Sequence, residues 1–175
     1  WRVTHTFRNG EQLRLRDSRM DIPEEHPSAA DPRAIANLAE PLTVARITED
    51  SLELGALKAT LSMTLQITKE TREADGETKY ETQIITRRGP VTALLKGASG
   101  DELAAFASES TALIIEEVEK FTQNGSGHGI DRVIKLDLKL DRWAPVRGAS
   151  YLASPAWIVA KKCCVNVRNI DQECF

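Results

Sequence analysis

Within the segment 132–142, residues 134–141 alternate strictly between apolar and charged side chains. Single lysines or aspartates separate Ile134, Leu136, Leu138 and Leu140. Successive side chains of a β-strand point to opposite faces of the sheet, so this period of two predicts a strand with one buried and one solvated face. Such a strand needs an apolar layer of comparable length to cover its buried face.

A helix that begins at Asp101 is predicted to supply that layer. Its apolar residues recur at intervals of three and four, which is typical of an amphipathic helix, and Asn124-Gly125 is a sequence typical of a helix end. The side chains expected to meet are Ile134, Leu136, Leu138 and Leu140 of the strand and Phe106, Ile114 and Val118 of the helix.

A β-hairpin is predicted before this helix. Residues 60–68 alternate between threonine or other polar residues and apolar residues, and residues 78–88 are again rich in β-formers. Asp75-Gly76 between them is a turn signal. Residues 91–95 predict one more short strand.

Two helices are predicted before the hairpin. Asp31 is a favourable N-cap and Pro32 is favoured at the first helical position, so a short helix is expected through Leu38. Pro41 lacks a backbone N–H and should end or restart the helix. A second helix is then expected over residues 42–54.

The order of helix, hairpin, helix and strand indicates an α+β fold. We expect an antiparallel sheet, made of the hairpin and the later strand, with the helices packed on one face. The segments predicted are an extended N-terminal arm with a short helix (1–40), an α+β core domain (41–148) and a C-terminal tail (149–175), which would begin a further region.

The composition favours one globular domain. The chain has 175 residues, of which 41% are hydrophobic and 28% charged, and no apolar run approaches the roughly 18 residues that a membrane helix needs. Because it begins with Trp1 rather than methionine, it is expected to be a piece of a longer product, and whether Trp1 and Phe175 are processed ends stays open.

The cysteines indicate a reducing compartment, the cytoplasm or the nucleus. There are three, Cys163, Cys164 and Cys174, an odd number that includes an adjacent pair. The three histidines lie far from them in sequence, so no zinc site, no other metal and no cofactor are expected.

The charge is distributed unevenly along the chain. The net charge is −3, yet residues 1–19 carry +3 and residues 130–168 carry +5 around an acidic middle segment. Basic ends can lie against an acidic partner surface or bind nucleic acid.

The strand 132–142 and the segment after it supply the candidate contact residues. Arginines interleaved with a tryptophan and a tyrosine suit stacking on bases and binding of phosphates, but the same residue types dominate protein interfaces. The candidates for contact with nucleic acid or a partner protein are Lys135, Lys139, Arg142, Trp143, Arg147 and Tyr151.

The sequence offers no complete catalytic set. The glycine cluster at 125–129 follows a helix and precedes a strand, which is the reverse of a phosphate-binding loop. Glu116, Glu117 and Glu119 spread over a helix surface, and no serine, histidine and aspartate form a recognisable triad.

A pattern of residues after Asn124 resembles that of a known group of proteins. The matching positions are Gly125-Ser126-Gly127, Ile130 to Val133, Leu136-Asp137-Leu138, Pro145, Arg147-Gly148, Ser150 to Leu152, Pro155, Lys161-Lys162, Asn166-Val167, Asn169, Asp171 and Glu173 to Phe175. They resemble a region in large proteins of Maverick/Polinton-type elements, which are virus-like DNA transposons of animals. The resemblance covers about residues 55–175, and it implies an accessory module upstream of a protein-primed family B DNA polymerase.

The last five residues are similar to the nucleophile motif of ovarian-tumour-type thiol proteases. Asp171-Gln172-Glu173-Cys174-Phe175 has the Asp-x-x-Cys-Phe pattern. The resemblance implies a nucleophilic role for Cys174 only if the chain continues, because the motif's helix and histidine would lie downstream.

We therefore expect a non-catalytic interaction or scaffolding domain of a viral or mobile-element polyprotein. Its partners would be other protein chains or the rest of its own polyprotein, in an oligomer or larger assembly. The alternatives are a DNA-associated module of a replication protein and, more weakly, the N-terminal part of a thiol protease.

Overall fold

Six strands and two helices make up the described part of the chain. The computed structural model describes residues 1–9, 13–73, 77–123 and 127–143, with the backbone alone for residues 3–9 and 13–15. The elements in chain order are β1 Arg2–Asn9, β2 Leu13–Asp21, α1 Pro32–Leu54, β3 Leu57–Arg72, β4 Thr78–Arg88, β5 Thr92–Leu94, α2 Gly100–Phe121 and β6 His128–Arg142. They belong to one compact unit, Trp1–Trp143, and residues 144–175 lie outside the described residues.

All strand pairs of the sheet are antiparallel. The strand order is β1-β2-β6-β3-β4, and the short β5 pairs with the first residues of β3. Both helices pack on the sheet and on each other. The predicted α+β fold, the hairpin and the short strand after it are confirmed. The predicted hairpin turn at Asp75-Gly76 lies outside the described residues.

The core lies between the helices and one face of β3 and β6. Every second residue of β3 from Leu57 to Ile67 is at most 1% exposed, as expected for a strand with one covered face. The buried side chains of β3 are Leu57, Ala59, Leu61, Met63, Leu65 and Ile67.

A β-bulge changes the register of β6 at its start. Thr64 pairs with Lys135, but the next residue of β3, Leu65, pairs with Val133, so that Ile134 is bypassed. Val133 is consequently fully buried and Ile134 only partly. The prediction that Ile134 belongs to the buried stripe is wrong, whereas the burial predicted for the three leucines that follow it in β6 is confirmed.

The helix that covers β6 also differs from the expectation. β6 packs mainly against α1, and α2 packs mainly against β3 and β4. Because β3 lies between β4 and β6 in the sheet, the two helices divide the sheet between them. Phe106, Ile114 and Val118 still share one hydrophobic core with the leucines of β6.

α1 is one continuous helix, which corrects the two predicted helices. Asp31 caps it by accepting hydrogen bonds from the N–H groups of Arg33 and Ala34, at 2.9 and 3.2 Å. Pro41 is exposed, while buried residues before and after it keep both halves of the helix on the core. Packing therefore outweighs the lost hydrogen bond, and the boundary expected after residue 40 falls inside the helix.

The N-terminal segment is extended, as predicted, but it is part of the sheet. β1 pairs with β2, and β2 pairs with β6 from Leu15↔Asp141 to Asp21↔Lys135. Because this segment has little apolar alternation, the sequence did not predict β1 and β2. Beyond β2 the chain stays close to β6, because the N–H of Ile22 donates to the carbonyl of Ile134 at 2.9 Å.

A buried ionic cluster joins β2 to α1. Asp50 of α1 is fully buried and accepts hydrogen bonds from Arg46 of the same helix, at 2.7 and 2.9 Å, and from Arg16 of β2. Arg16 also donates to Glu53 at 2.6 Å. Burial opposes the charge of Arg16, but its hydrogen bonds to both carboxylates outweigh that effect and raise its pKa.

A capping box fixes the start of α2, one residue before the predicted Asp101. The N–H of Ser99 donates to Glu102 at 2.7 Å, and the N–H of Glu102 donates to the Ser99 hydroxyl at 3.2 Å. The bonds from Ser99 lower the pKa of Glu102. A depressed carboxylate pKa stabilises the helix start at neutral pH, and this stabilisation is lost as the pH falls through the pKa of the folded state.

The two faces of β6 predict opposite responses to the same substitution. Leu138 is fully buried and Lys139 is exposed. Leu138→Asp places an unpaired charge in the core and should cost several kcal/mol, enough to unfold a domain of ordinary stability. Lys139→Asp should cost about 1 kcal/mol or less. Thermal melts compare the two, and greater damage from Lys139→Asp would contradict the register.

Removal of the buried carboxylate should also destabilise the domain. Asp50→Ala leaves Arg16 and Arg46 facing each other without their common partner, so we expect a loss of about 3–5 kcal/mol in the free energy of unfolding. Glu49→Ala is the matched control, because Glu49 binds the same Arg46 but is 69% exposed, and it should cost less than about 1 kcal/mol. Chemical denaturation measures both, and equal losses would contradict the role of Asp50.

Candidate functional site

The face of the sheet opposite the helices carries polar and charged side chains, and we call it the open face. It follows from the period of two in each strand, since the residues between the buried ones point away from the helices. The open face includes Asp17 and Arg19 of β2, Lys135, Asp137, Lys139 and Asp141 of β6, Thr60, Ser62 and Thr64 of β3, and Thr86 and Arg88 of β4.

Strand register arranges these side chains in rows across the sheet. In each row, β2 and β6 present opposite charges to each other, and β3 contributes a hydroxyl group. The three rows are Asp17, Lys139 and Thr60; Arg19, Asp137, Ser62 and Arg88; and Asp21, Lys135, Thr64 and Thr86.

The rows line a groove on the open face. Its volume is about 400 Å³, within the size range of small-molecule sites, but it is open along the sheet and its lining is mainly polar. Side chains of β2, β6, β3 and β4, with Val91 after β4, contribute to it. A groove that crosses four strands suits an extended ligand.

An ion-pair cluster occupies the centre of the groove. Asp137 accepts from Arg19 at 2.7 Å and lies 3.0 Å from the ammonium of Lys135. The hydrogen bond to Asp137 raises the pKa of Arg19. These three groups largely satisfy one another.

Three other charged groups of the groove are available to a ligand. Within the described part of the chain, the side chains of Lys139, Arg88 and Asp141 take part in no ion pair or hydrogen bond. The groove therefore offers two cations and one carboxylate to an incoming molecule.

Hydroxyl groups connect β3 to β4 on the same face. The Thr64 and Thr86 hydroxyls lie 3.0 Å apart, and those of Thr68 and Thr82 lie 2.9 Å apart. The cross-strand bonds join the two strands of the hairpin beside the groove and add hydrogen-bonding groups to its wall.

The structure separates the residues predicted for contact. Lys135 and Lys139 both line the groove, so they can contact the same ligand. Arg142 is exposed on the same side of β6 as the buried leucines, at the end of the strand, and the N–H of Trp143 donates to the carbonyl of Ala56 at 2.7 Å. Arg147, Tyr151 and Cys174 lie outside the described residues.

Most of the charged residues that line the groove were not predicted from the sequence. Asp17, Arg19, Asp137, Asp141 and Arg88 were not among the candidates. Asp137 and Asp141 share the solvated period-two stripe of Lys135 and Lys139, so that stripe could have identified them. Asp17 and Arg19 lie in a segment without apolar alternation, and only pairing with β6 brings them here.

In the ranges that the structure covers, no group of three His, Cys, Asp or Glu side chains could hold a metal ion, and the groove lining contains no histidine or cysteine. His128 lies elsewhere, with its ring 5.7 Å from that of Phe121. Neither of the two described helices is long and apolar enough to cross a membrane.

Comparison with known proteins gives no family for this chain. No protein-family model and no curated protein matches it. The resemblance to Maverick/Polinton-type proteins therefore stays a prediction.

Proposed function

We propose that this chain is a non-catalytic interaction domain that binds an extended segment of a partner protein in the groove of the open face. The observation that carries the proposal is the mixed sign of the available charges. Lys139, Arg88 and Asp141 line one groove and have no ion-pair partner among the described residues. A polypeptide can supply both acidic and basic side chains to meet them.

The width of the groove supports an extended segment. It crosses four antiparallel strands, and neighbouring strands lie about 4.7–4.9 Å apart, so that this is also the spacing of successive residues in one row. A ligand that runs along a row would meet an alternation of cations, carboxylates and hydroxyls. Charge alternation of this kind fixes orientation and selects partners more than it adds affinity.

An assembly role agrees with this surface. The domain would hold its partner within an oligomer or larger complex, either with other chains or with the rest of its own polyprotein. The resemblance to an accessory region of virus-like transposon polyproteins supports this role, and so do the basic ends of the chain around its acidic middle segment.

Nucleic acid is the second candidate. Lys139 and Arg88 favour it, because free cations neutralise phosphates and release counterions. Asp17, Asp137 and Asp141 line the same groove and oppose it, since a phosphate backbone carries a single sign of charge. The balance of charges therefore favours a protein partner.

Charge reversal in the groove distinguishes the two candidates. The probes are peptides selected on the full chain from a random display library and a fluorescein-labelled single- or double-stranded oligonucleotide, both measured by fluorescence anisotropy at low salt. For a protein partner, Lys139→Glu and Asp141→Lys should each weaken peptide binding about tenfold. The control Lys120→Glu changes an exposed lysine of α2, in the helix layer, and should have little effect.

Asp141→Lys gives opposite results for the two candidates. It removes a carboxylate that a peptide would use, but it also removes a group that repels phosphate. Oligonucleotide binding that weakens with Lys139→Glu and strengthens with Asp141→Lys would establish the nucleic-acid function instead. If neither probe responds to the two groove variants, the open face is not the binding site.

A further inference from the structure

We propose that two copies of this chain pair through β4, which continues the sheet across a twofold axis. β4 is the last strand of the sheet on its side, and in the described part of the chain nothing pairs with its outer edge. The strand is 11 residues long, longer than an edge that is protected by being short. This inference uses the edge of the sheet, which shares Thr86 and Arg88 with the lining of the groove, but it does not depend on what binds there.

The backbone groups of β4 that point outward are known from its pairing with β3. The N–H of Gly89 donates to the carbonyl of Leu61 at 2.9 Å, and the register from Ser62↔Arg88 to Arg72↔Thr78 has no bulge. Odd-numbered residues therefore bond to β3, and even-numbered residues direct their N–H and C=O groups to the free edge. Ile84 lies near the middle of this edge.

Antiparallel pairing centred on Ile84 would give hydrogen-bond partners to the outward N–H and C=O groups of β4. Ile84 would face Ile84 of the second copy as a hydrogen-bonded pair, in which each N–H donates to the other carbonyl. Thr82 would then lie opposite Thr86, a favourable cross-strand pair. The Ile84 and Tyr80 side chains are each 68% exposed, and part of that apolar surface would be covered.

The charges of β4 are complementary in this register. Glu81 would lie opposite Arg87 of the second copy, and Tyr80 opposite Arg88, an arrangement that allows a cation–π contact. The twofold axis repeats each pair. Within the described part of the chain, Glu81 has no cationic partner and Arg87 and Arg88 have no carboxylate partner.

Other registers lose this complementarity. Sliding the copies by two residues in one direction places Lys79 opposite Arg87, which creates two like-charge contacts. Sliding them by two in the other direction places Glu81 opposite Gly89, and sliding them by four also separates Glu81 from Arg87. Only the register centred on Ile84 makes self-association depend on Glu81 and Arg87 together.

Charge reversal and mixing test the register. In sedimentation velocity experiments on the full chain, Glu81→Lys alone or Arg87→Glu alone creates two repulsive contacts and should raise the dimer Kd at least about tenfold. A mixture of the two single variants restores both attractive contacts in a heterodimer. That mixture, and the double variant Glu81→Lys/Arg87→Glu, should regain the wild-type Kd to within a few-fold.

A backbone substitution tests the edge itself. Ile84→Pro removes an N–H that points outward, which an edge strand tolerates, so the monomer should keep its thermal stability while dimerisation is lost. Ile84→Thr retains the N–H and is the matched control.

A strictly monomeric wild-type chain, or a dimer whose Kd is unchanged by charge reversal at Glu81 and Arg87, would overturn the proposal. The groove variants Lys139→Glu and Asp141→Lys should leave the dimer unchanged, which separates this inference from the proposed function.

Discussion

The long antiparallel pairing of β3 with β6 is the interaction on which the rest of the structure depends. It extends from Leu57↔Arg142 to Lys69↔His128 and joins segments that are far apart in the chain. One face of the pair carries the leucines and isoleucines that both helices cover, and the other carries the charges and hydroxyls of the groove. β2 and β4 add to its two sides. Alternate residues of the β3–β6 pair therefore face the core and the candidate site.

Two local features adapt this ladder to its surroundings. The bulge at Ile134 directs the Val133 side chain into the core. The Ile134 carbonyl accepts a hydrogen bond from the N–H of Ile22, which joins the segment after β2 to the strand. The Arg16, Asp50 and Arg46 cluster joins β2 to α1 through the helix-covered face. A buried ionic group adds less stability than an apolar one of the same size, but removing one member is costly, so the cluster favours one position of the helix over the others.

The open face and the outer edge of β4 give the domain two surfaces of different character. The groove has charges of both signs on side chains and suits selective recognition. The edge has backbone groups that no described residue pairs with, and such groups give affinity through hydrogen bonds while the side chains set the register. An assembly subunit could use both at once, since the self-pairing edge lies at one side of the groove and Lys139 and Asp141 lie two strands away from it.

The sequence by itself determined the elements with strong periods. The stripes of β3, β6 and α2 predicted their type and their buried faces, because side-chain period follows directly from backbone geometry. Three features depended on contacts between distant residues. Pro41 lies within one helix because the core holds both of its halves, β1 and β2 are strands because β6 offers them a partner, and Ile134 leaves the core because of a bulge. Lys135 and Lys139 could be predicted for the site from the solvated stripe of β6, but only the register of four strands places Asp17, Arg19 and Arg88 beside them, and no local sequence pattern encodes that register.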